Sequence, residues 1–147
     1  MCPTICIGER IIADMGAFDF VPPKRGDLIM FEVPFDRALY IKRVLAVGGD
    51  VVKQGDHGEI LVNDAPPPPI IVCDKPPGRP DNILTNHIDF DPLTVPSGSV
   101  FVLGDNLDNS FDSRMKEMGL VRLDQIRGRP VFLYWSPVFS RIGCKTL

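Results

Sequence analysis

Proline falls fifteen times in this chain of 147 residues and glycine thirteen times, so uninterrupted stretches long enough for a stable α-helix are scarce. An internal proline removes a backbone donor and collides with the preceding helical turn, and the usage here is about twice the average of roughly 5%. The pattern predicts a mainly β protein of short strands and tight connections, with short helical turns. Residues 5–7 and 10–13 read as strands around Gly8. Residues 22–27 form a tight connection into a buried strand at 28–33, which stops at Pro34. A strand at 39–45 closes at Gly48-Gly49-Asp50, and 51–53 with 59–62 flank Gly55-Asp56-His57-Gly58 as a hairpin. Further strands are expected at 99–103 and 130–135, with one helical turn at 123–127. Between about 64 and 94 the run Pro66-Pro67-Pro68-Pro69, then Pro76-Pro77, marks a proline-rich insertion, either a ligand for a proline-reading module or an irregular connection between strands.

This length suits one domain, residues 1–147, with a core that needs neither metal nor disulfide to fold. A net charge of −3 gives no case for nucleic acid as a partner. There is no run of ~20 apolar residues and no basic-then-apolar leader, so the stretch is read as soluble, with neither membrane span nor export signal. Cys2, Cys6, Cys73 and Cys144 contain no C-x-x-C pair, and His57 and His87 lie far from them, so no metal and no cofactor is expected. Four cysteines allow three complete pairings, and their spacing does not choose among them.

Two features carry chemistry. Lys42 sits inside Leu39-Tyr40-Ile41-Lys42-Arg43-Val44-Leu45. A lysine held among apolar neighbours loses hydration, its charged form is disfavoured, and the neutral amine is a competent general base; a lysine at a strand edge can instead extend to water. The second feature is Gly104-Asp105-Asn106-Leu107-Asp108-Asn109-Ser110-Phe111-Asp112-Ser113-Arg114. Its acidic residues lack the glycine and terminal glutamate of a calcium loop. It reads either as a plain turn or as a loop that orients a catalytic group nearby.

Taken in order along the chain, four segments resemble the boxes of the type I signal peptidases, serine proteases with a Ser-Lys dyad. Met1-Cys2-Pro3-Thr4 is similar to the S-M-x-P-T box after its serine, and Arg25-Gly26-Asp27 through Phe31 to the R-G-D-x-x-x-F box. Tyr40-Ile41-Lys42-Arg43-Val44 with Gly49-Asp50 is similar to the Y-I-K-R-V…G-D box. Val95-Pro96-Ser97-Gly98-Ser99 through Asp112-Ser113-Arg114 is similar to the V-P-x-G-x-x-F-V-x-G-D-N-x-x-N-S-x-D-S-R box, the most specific of the four.

The resemblance implies an antiparallel two-sheet fold and a serine endopeptidase that removes signal peptides from exported preproteins. It implies Lys42 as general base and Ser110 as the residue that aims it. It also implies Asp105 paired with Arg43, Asp112 paired with Arg114, and Met1, Ile5, Tyr40 and Ile41 along a small pocket for alanine. The intact protein would be anchored in the plasma membrane, its catalytic domain on the outer (periplasmic or extracellular) face, and exposed rings among Phe132, Tyr134, Trp135 and Phe139 would suit a membrane surface.

The sequence departs from the family at three points. The lysine box lacks a proline before Gly49-Asp50, and Leu107 replaces the usual arginine. The nucleophilic serine is expected immediately before Met1, and the sequence starts there, so the chain as it stands is expected to be inactive. Ser97, Ser99, Ser113, Ser136 and Ser140 fall outside the box that sets a hydroxyl beside the lysine, and Cys2 reads as a packed cysteine rather than a nucleophile. Alternative readings are a non-catalytic homologue that binds or folds another protein, and a conjugative-transfer peptidase. A self-cleaving repressor domain fits less well, because the polar loop belongs to the peptidases.

Overall fold

The structure is a computed structural model that describes residues 1–33, 38–56, 58–70, 72–74 and 89–146. Among the described residues nine strands account for most of the regular structure: β1 (Arg10–Asp14), β2 (Leu28–Glu32), β3 (Leu39–Val47), β4 (Val51–Gln54), β5 (Ile60–Val62), β6 (Leu93–Thr94), β7 (Ser99–Leu103), β8 (Val121–Arg122) and β9 (Ile126–Trp135). They form two antiparallel sheets, one of six strands in the order β1-β9-β2-β3-β7-β8 and one of three in the order β5-β4-β6. Single 3₁₀ turns at Leu107–Asn109, Leu123–Gln125 and Phe139–Arg141 are the helical elements among the described residues. The mainly β, two-sheet architecture expected from the sequence is therefore the one observed.

Apolar residues sit on both faces of the large sheet, and each face has its own core. On one face Ile29, Phe31, Val33, Val44, Val100, Val102 and Val121 cluster, with Tyr40, Phe18 and Ile126 against them. On the other face Ala46, Phe101 and Leu103 pack with Val52, Ile60 and Val62 of the small sheet. β3 serves both cores because an irregularity in its pairing with β7, between Val44 and Ala46, shifts the alternation of its side chains. β9 is shared differently. Its first residues pair with β2 and its later residues with β1, from Arg129↔Asp14 to Trp135↔Arg10. Gly128 stands at the handover, where an added Cβ would come within 2.9 Å of the Met15 Cα and still nearer the Asp14 carbonyl.

Several expectations need correction. Residues 5–7 are not a strand: a Cys2–Cys6 disulfide and a bond from the Ile5 N–H to the Met1 carbonyl (3.1 Å) close this segment into a turn. The helical turn ends at Gln125, and the last strand starts at Ile126 rather than 130. β6 and β8, of two residues each, were not foreseen. The second disulfide joins Cys73 to Cys144 and fastens the stem of the proline-rich insertion to the C-terminal segment. Residues 66–69 are exposed, while Pro34, His57, His87 and the Pro76-Pro77 part of the insertion lie outside the described residues.

Candidate active site

The β2–β3 register pairs Ile29 with Lys42 and Phe31 with Tyr40, and it pairs Leu28 with Arg43 and Met30 with Ile41. Since cross-strand partners share a face and neighbours along a strand alternate, Tyr40 and Lys42 stand on one face of the sheet and Ile41 and Arg43 on the other. Lys42 is 8% exposed. Its Nζ donates to Ser110 Oγ at 2.9 Å and lies 5.9 Å from the centre of the Tyr40 ring. Burial holds the Lys42 pKa below its ordinary value; Asp112 and Asp105 oppose the shift and Arg114 adds to it. A neutral amine keeps a lone pair free to take a proton while its N–H bonds Ser110.

Loop 104–114, which leaves β7, reaches both faces. Asp105 lies against Arg43, whose Nε and Nη2 donate to its two carboxylate oxygens at 2.9 and 2.8 Å. Arg43 Nη1 also donates to the Gly26 carbonyl at 2.7 Å, and the Thr4 hydroxyl donates to Asp105. The loop then returns along β7: the Ser113 N–H bonds the Val102 carbonyl (3.1 Å), and the Val102 N–H bonds Ser113 Oγ (3.0 Å). There Asp112 and Arg114 form a fully buried pair through Nε (2.8 Å) and Nη2 (3.0 Å). Asp112 also accepts the Gly104 N–H, and Arg114 donates to the Leu107 carbonyl at 2.7 Å. Both pairs are bidentate, the geometry in which arginine gives orientation as well as charge. The buried side-chain polar atoms of the described residues all have a partner, so the network is closed.

Gly104 is the least dispensable backbone position in the loop. An added Cβ would land on Ser110 Oγ and come within 3.4 Å of Lys42 Nζ, so the approach of Ser110 to the lysine requires a residue without a side chain. Arg25 and Asp50 join the second and third sequence boxes, with Arg25 Nε donating to Asp50 at 2.7 Å. That hydrogen bond, assisted by the Val47 N–H and Asn63, holds the Asp50 pKa at about 2 against the opposing effect of burial.

The model of the family described as signal peptidase, peptidase S26, matches residues 1–135. The chain belongs to the signal peptidase family. It is 35% identical to the probable thylakoidal processing peptidase 2, chloroplastic, of Arabidopsis thaliana over 93% of its own length, and 33% identical to signal peptidase I of Leptolyngbya laminosa over 97%. It spans 36% of the first relative's length and 67% of the second's. The crystal structure of a signal peptidase I from Enterococcus faecalis V583 superposes with a TM-score of 0.52 at 25% identity, covering 73% of this chain and 95% of that one.

Within this signal peptidase family frame, the structure brings together Lys42, Ser110, Asp105, Arg43, Asp112, Arg114 and Tyr40. Met1 and Ile5 are half-buried at the two ends of the N-terminal turn, while Ile41 stands on the reverse face of β3 from Lys42. Cys2 is buried in its disulfide and offers no thiol. Ser113 is occupied with Val102 and Ser136 with Glu9, Ser97 and Ser140 are exposed, and Ser99 starts β7. Thr4 and Gly104 belong to motifs legible in the sequence, but their contacts depend on segments far apart in the chain.

Proposed function

We propose that this chain is the catalytic domain of a signal peptidase that removes signal peptides from exported preproteins by a Ser-Lys dyad. The nucleophile's place in the family motif is the position immediately before Met1. One observation carries the reading: a buried lysine with depressed basicity is aimed by a serine hydroxyl at 2.9 Å. In this mechanism Lys42 takes the proton from the nucleophilic hydroxyl as it attacks the alanine carbonyl, gives it to the departing amine, and then activates the water that hydrolyses the acyl-enzyme ester and restores the hydroxyl. Ser110 holds the amine through both transfers, and Tyr40, Met1 and Ile5 form the wall against larger side chains. Asp105 with Arg43, and Asp112 with Arg114, keep loop and strand in register.

The intact enzyme is assigned to the outer face of a membrane, where preproteins emerge. Among the described residues no helix is long and apolar enough to cross a membrane. Surface apolar residues support docking: Phe139 is 87% exposed and Tyr134 and Trp135 are each about half exposed, whereas Phe132 is half-buried. Vesicle co-sedimentation that is unaffected by Phe139→Ser with Trp135→Ser would remove this assignment.

The decisive experiment places a serine-bearing segment before Met1 and offers a signal peptide in detergent. Cleavage after alanine that disappears in Lys42→Ala is the expected result. A folded, serine-bearing protein that does not cleave supports instead a non-catalytic scaffold that binds its partner.

A further inference from the structure

Glu9 and Arg141 form an ion pair with side chains 2% and 1% exposed, remote in sequence from each other and absent from the four motif boxes. Arg141 Nε donates to Glu9 Oε1 at 2.6 Å and Nη2 to Oε2 at 3.1 Å. Ser136 Oγ donates to Oε1 at 2.8 Å and the Cys6 N–H to Oε2 at 2.6 Å. Burial pushes the Glu9 carboxyl up, but the donors from Arg141, Cys6 and Ser136 outweigh it and hold its pKa below the ordinary value. The carboxylate therefore stays charged, and its role is to fix the guanidinium plane.

The other side of that guanidinium faces backbone. Nη2 donates to the carbonyls of Pro3 (2.9 Å) and Thr4 (3.0 Å), and Nη1 donates to the carbonyl of Asp74 at the stem of the insertion. Arg141 thus fastens the N-terminal turn through its backbone, beside a second tie through a side chain. The Thr4 hydroxyl ties it to Asp105, and so to the strand that carries Lys42. The carbonyl grip by Arg141 adds backbone contacts to the side-chain tie at Thr4. An apolar pair of equal volume would leave the Cys6 N–H, the Ser136 hydroxyl and the three carbonyls without these partners, so the two charges here serve to orient the backbone around them.

We propose that Arg141, clamped by Glu9, is a positioning residue for proteolysis. By holding the Pro3 and Thr4 carbonyls it sets where the residue before Met1 stands relative to Lys42. This rests on the dyad reading given above and extends it to a residue that touches neither substrate nor base. Lysine cannot substitute, since a single ammonium cannot span the Glu9 carboxylate and three carbonyls that a planar fork reaches together.

Two measurements test it. In the 147-residue chain, Arg141→Lys is expected to lower hydrogen-exchange protection of the Ile5 amide by about tenfold or more, while that of the Val44 amide in β3 is unchanged. In the chain with a serine before Met1, the same substitution is expected to lower kcat by about 10²-fold with KM unchanged, the cost of a displaced nucleophile. If Arg141→Lys does not fold, Glu9→Met with Arg141→Met removes both charges and is read in the same way. Unchanged Ile5 protection, equal losses at Ile5 and Val44, or an unchanged kcat in a cleaving variant each overturns the proposal. A serine-bearing parent that never cleaves overturns the dyad reading itself, and the exchange data still show whether Arg141 holds the turn.

Discussion

Lys42 and Arg43 are consecutive residues that serve opposite faces of β3, and one loop attends to both. Ser110 meets Lys42 on the first face and Asp105 meets Arg43 on the second. A strand turns successive side chains through about 180°, so a loop that engages both must reach around the strand end. The aim of the lysine amine is therefore coupled to an ion pair that it never touches.

Lys42→Met is expected to abolish cleavage in the serine-bearing protein, a loss of about 10²–10⁴-fold, and at the same time to stabilise the fold. The sign follows from linkage. With a folded pKa below the ordinary 10.5, the native state binds fewer protons than the unfolded chain, so wild-type stability rises with pH through that interval. Methionine removes this dependence. Thermal melts should show Lys42→Met above the parent at neutral pH, with the gap closing as pH approaches 10.5. An equal Tm at all pH values would contradict it.

Gly104→Ala places a methyl group where Ser110 Oγ now lies, so the serine must move off the lysine. The expected signature is a kcat lower by about 10²-fold with KM retained, from a misaimed base in a protein that still folds. A fully active variant would show that Ser110 is not needed where it is.

Arg43→Ala takes the bidentate arginine from the nearly inaccessible Asp105 carboxylate, which keeps the Thr4 hydroxyl, at a cost of up to about 3–5 kcal/mol, measurable by urea unfolding. Replacing both partners, as Arg43→Met with Asp105→Leu, is expected to recover much of that stability without recovering activity. Stability and alignment would separate in this pair of variants.

The Arg25–Asp50 contact predicts an acid-sensitive step. The Asp50 pKa falls from 3.8 to about 2 on folding, so its contribution is complete above pH 4 and is lost as pH drops through 2. With the Arg25 side chain 44% exposed, a discounted value of about 1–2 kcal/mol is appropriate. Asp50→Asn should remove that amount at pH 7 and make little difference at pH 2, as read by unfolding at each pH.

The strands that carry long apolar runs, β2, β3 and β7, were legible because a run of β-branched and aromatic residues bounded by proline or glycine has few alternatives. Lys42 was legible for the opposite reason, as a charge inside such a run. Residues 5–7 misled because Ile-Cys-Ile alternates like a strand, whereas which cysteines pair is a property of the folded chain. β6 and β8 are strands only by virtue of their neighbours β4 and β7. Glu9 and Arg141, 132 residues apart, leave no local pattern, since nothing near either residue announces a buried partner.

The pairing of β1 with β9 has a consequence for the order of assembly. Arg10 lies opposite Trp135, so the first strand finds its neighbour only when the last has been made. Contacts of such separation are slow to close. On a chain synthesised from its N-terminus, β2 and β3 can pair early while β1 waits, and the turn that precedes it gains its Arg141 grip later still. The candidate site is thus completed only after Arg141 has been made, when its lysine strand is already in place.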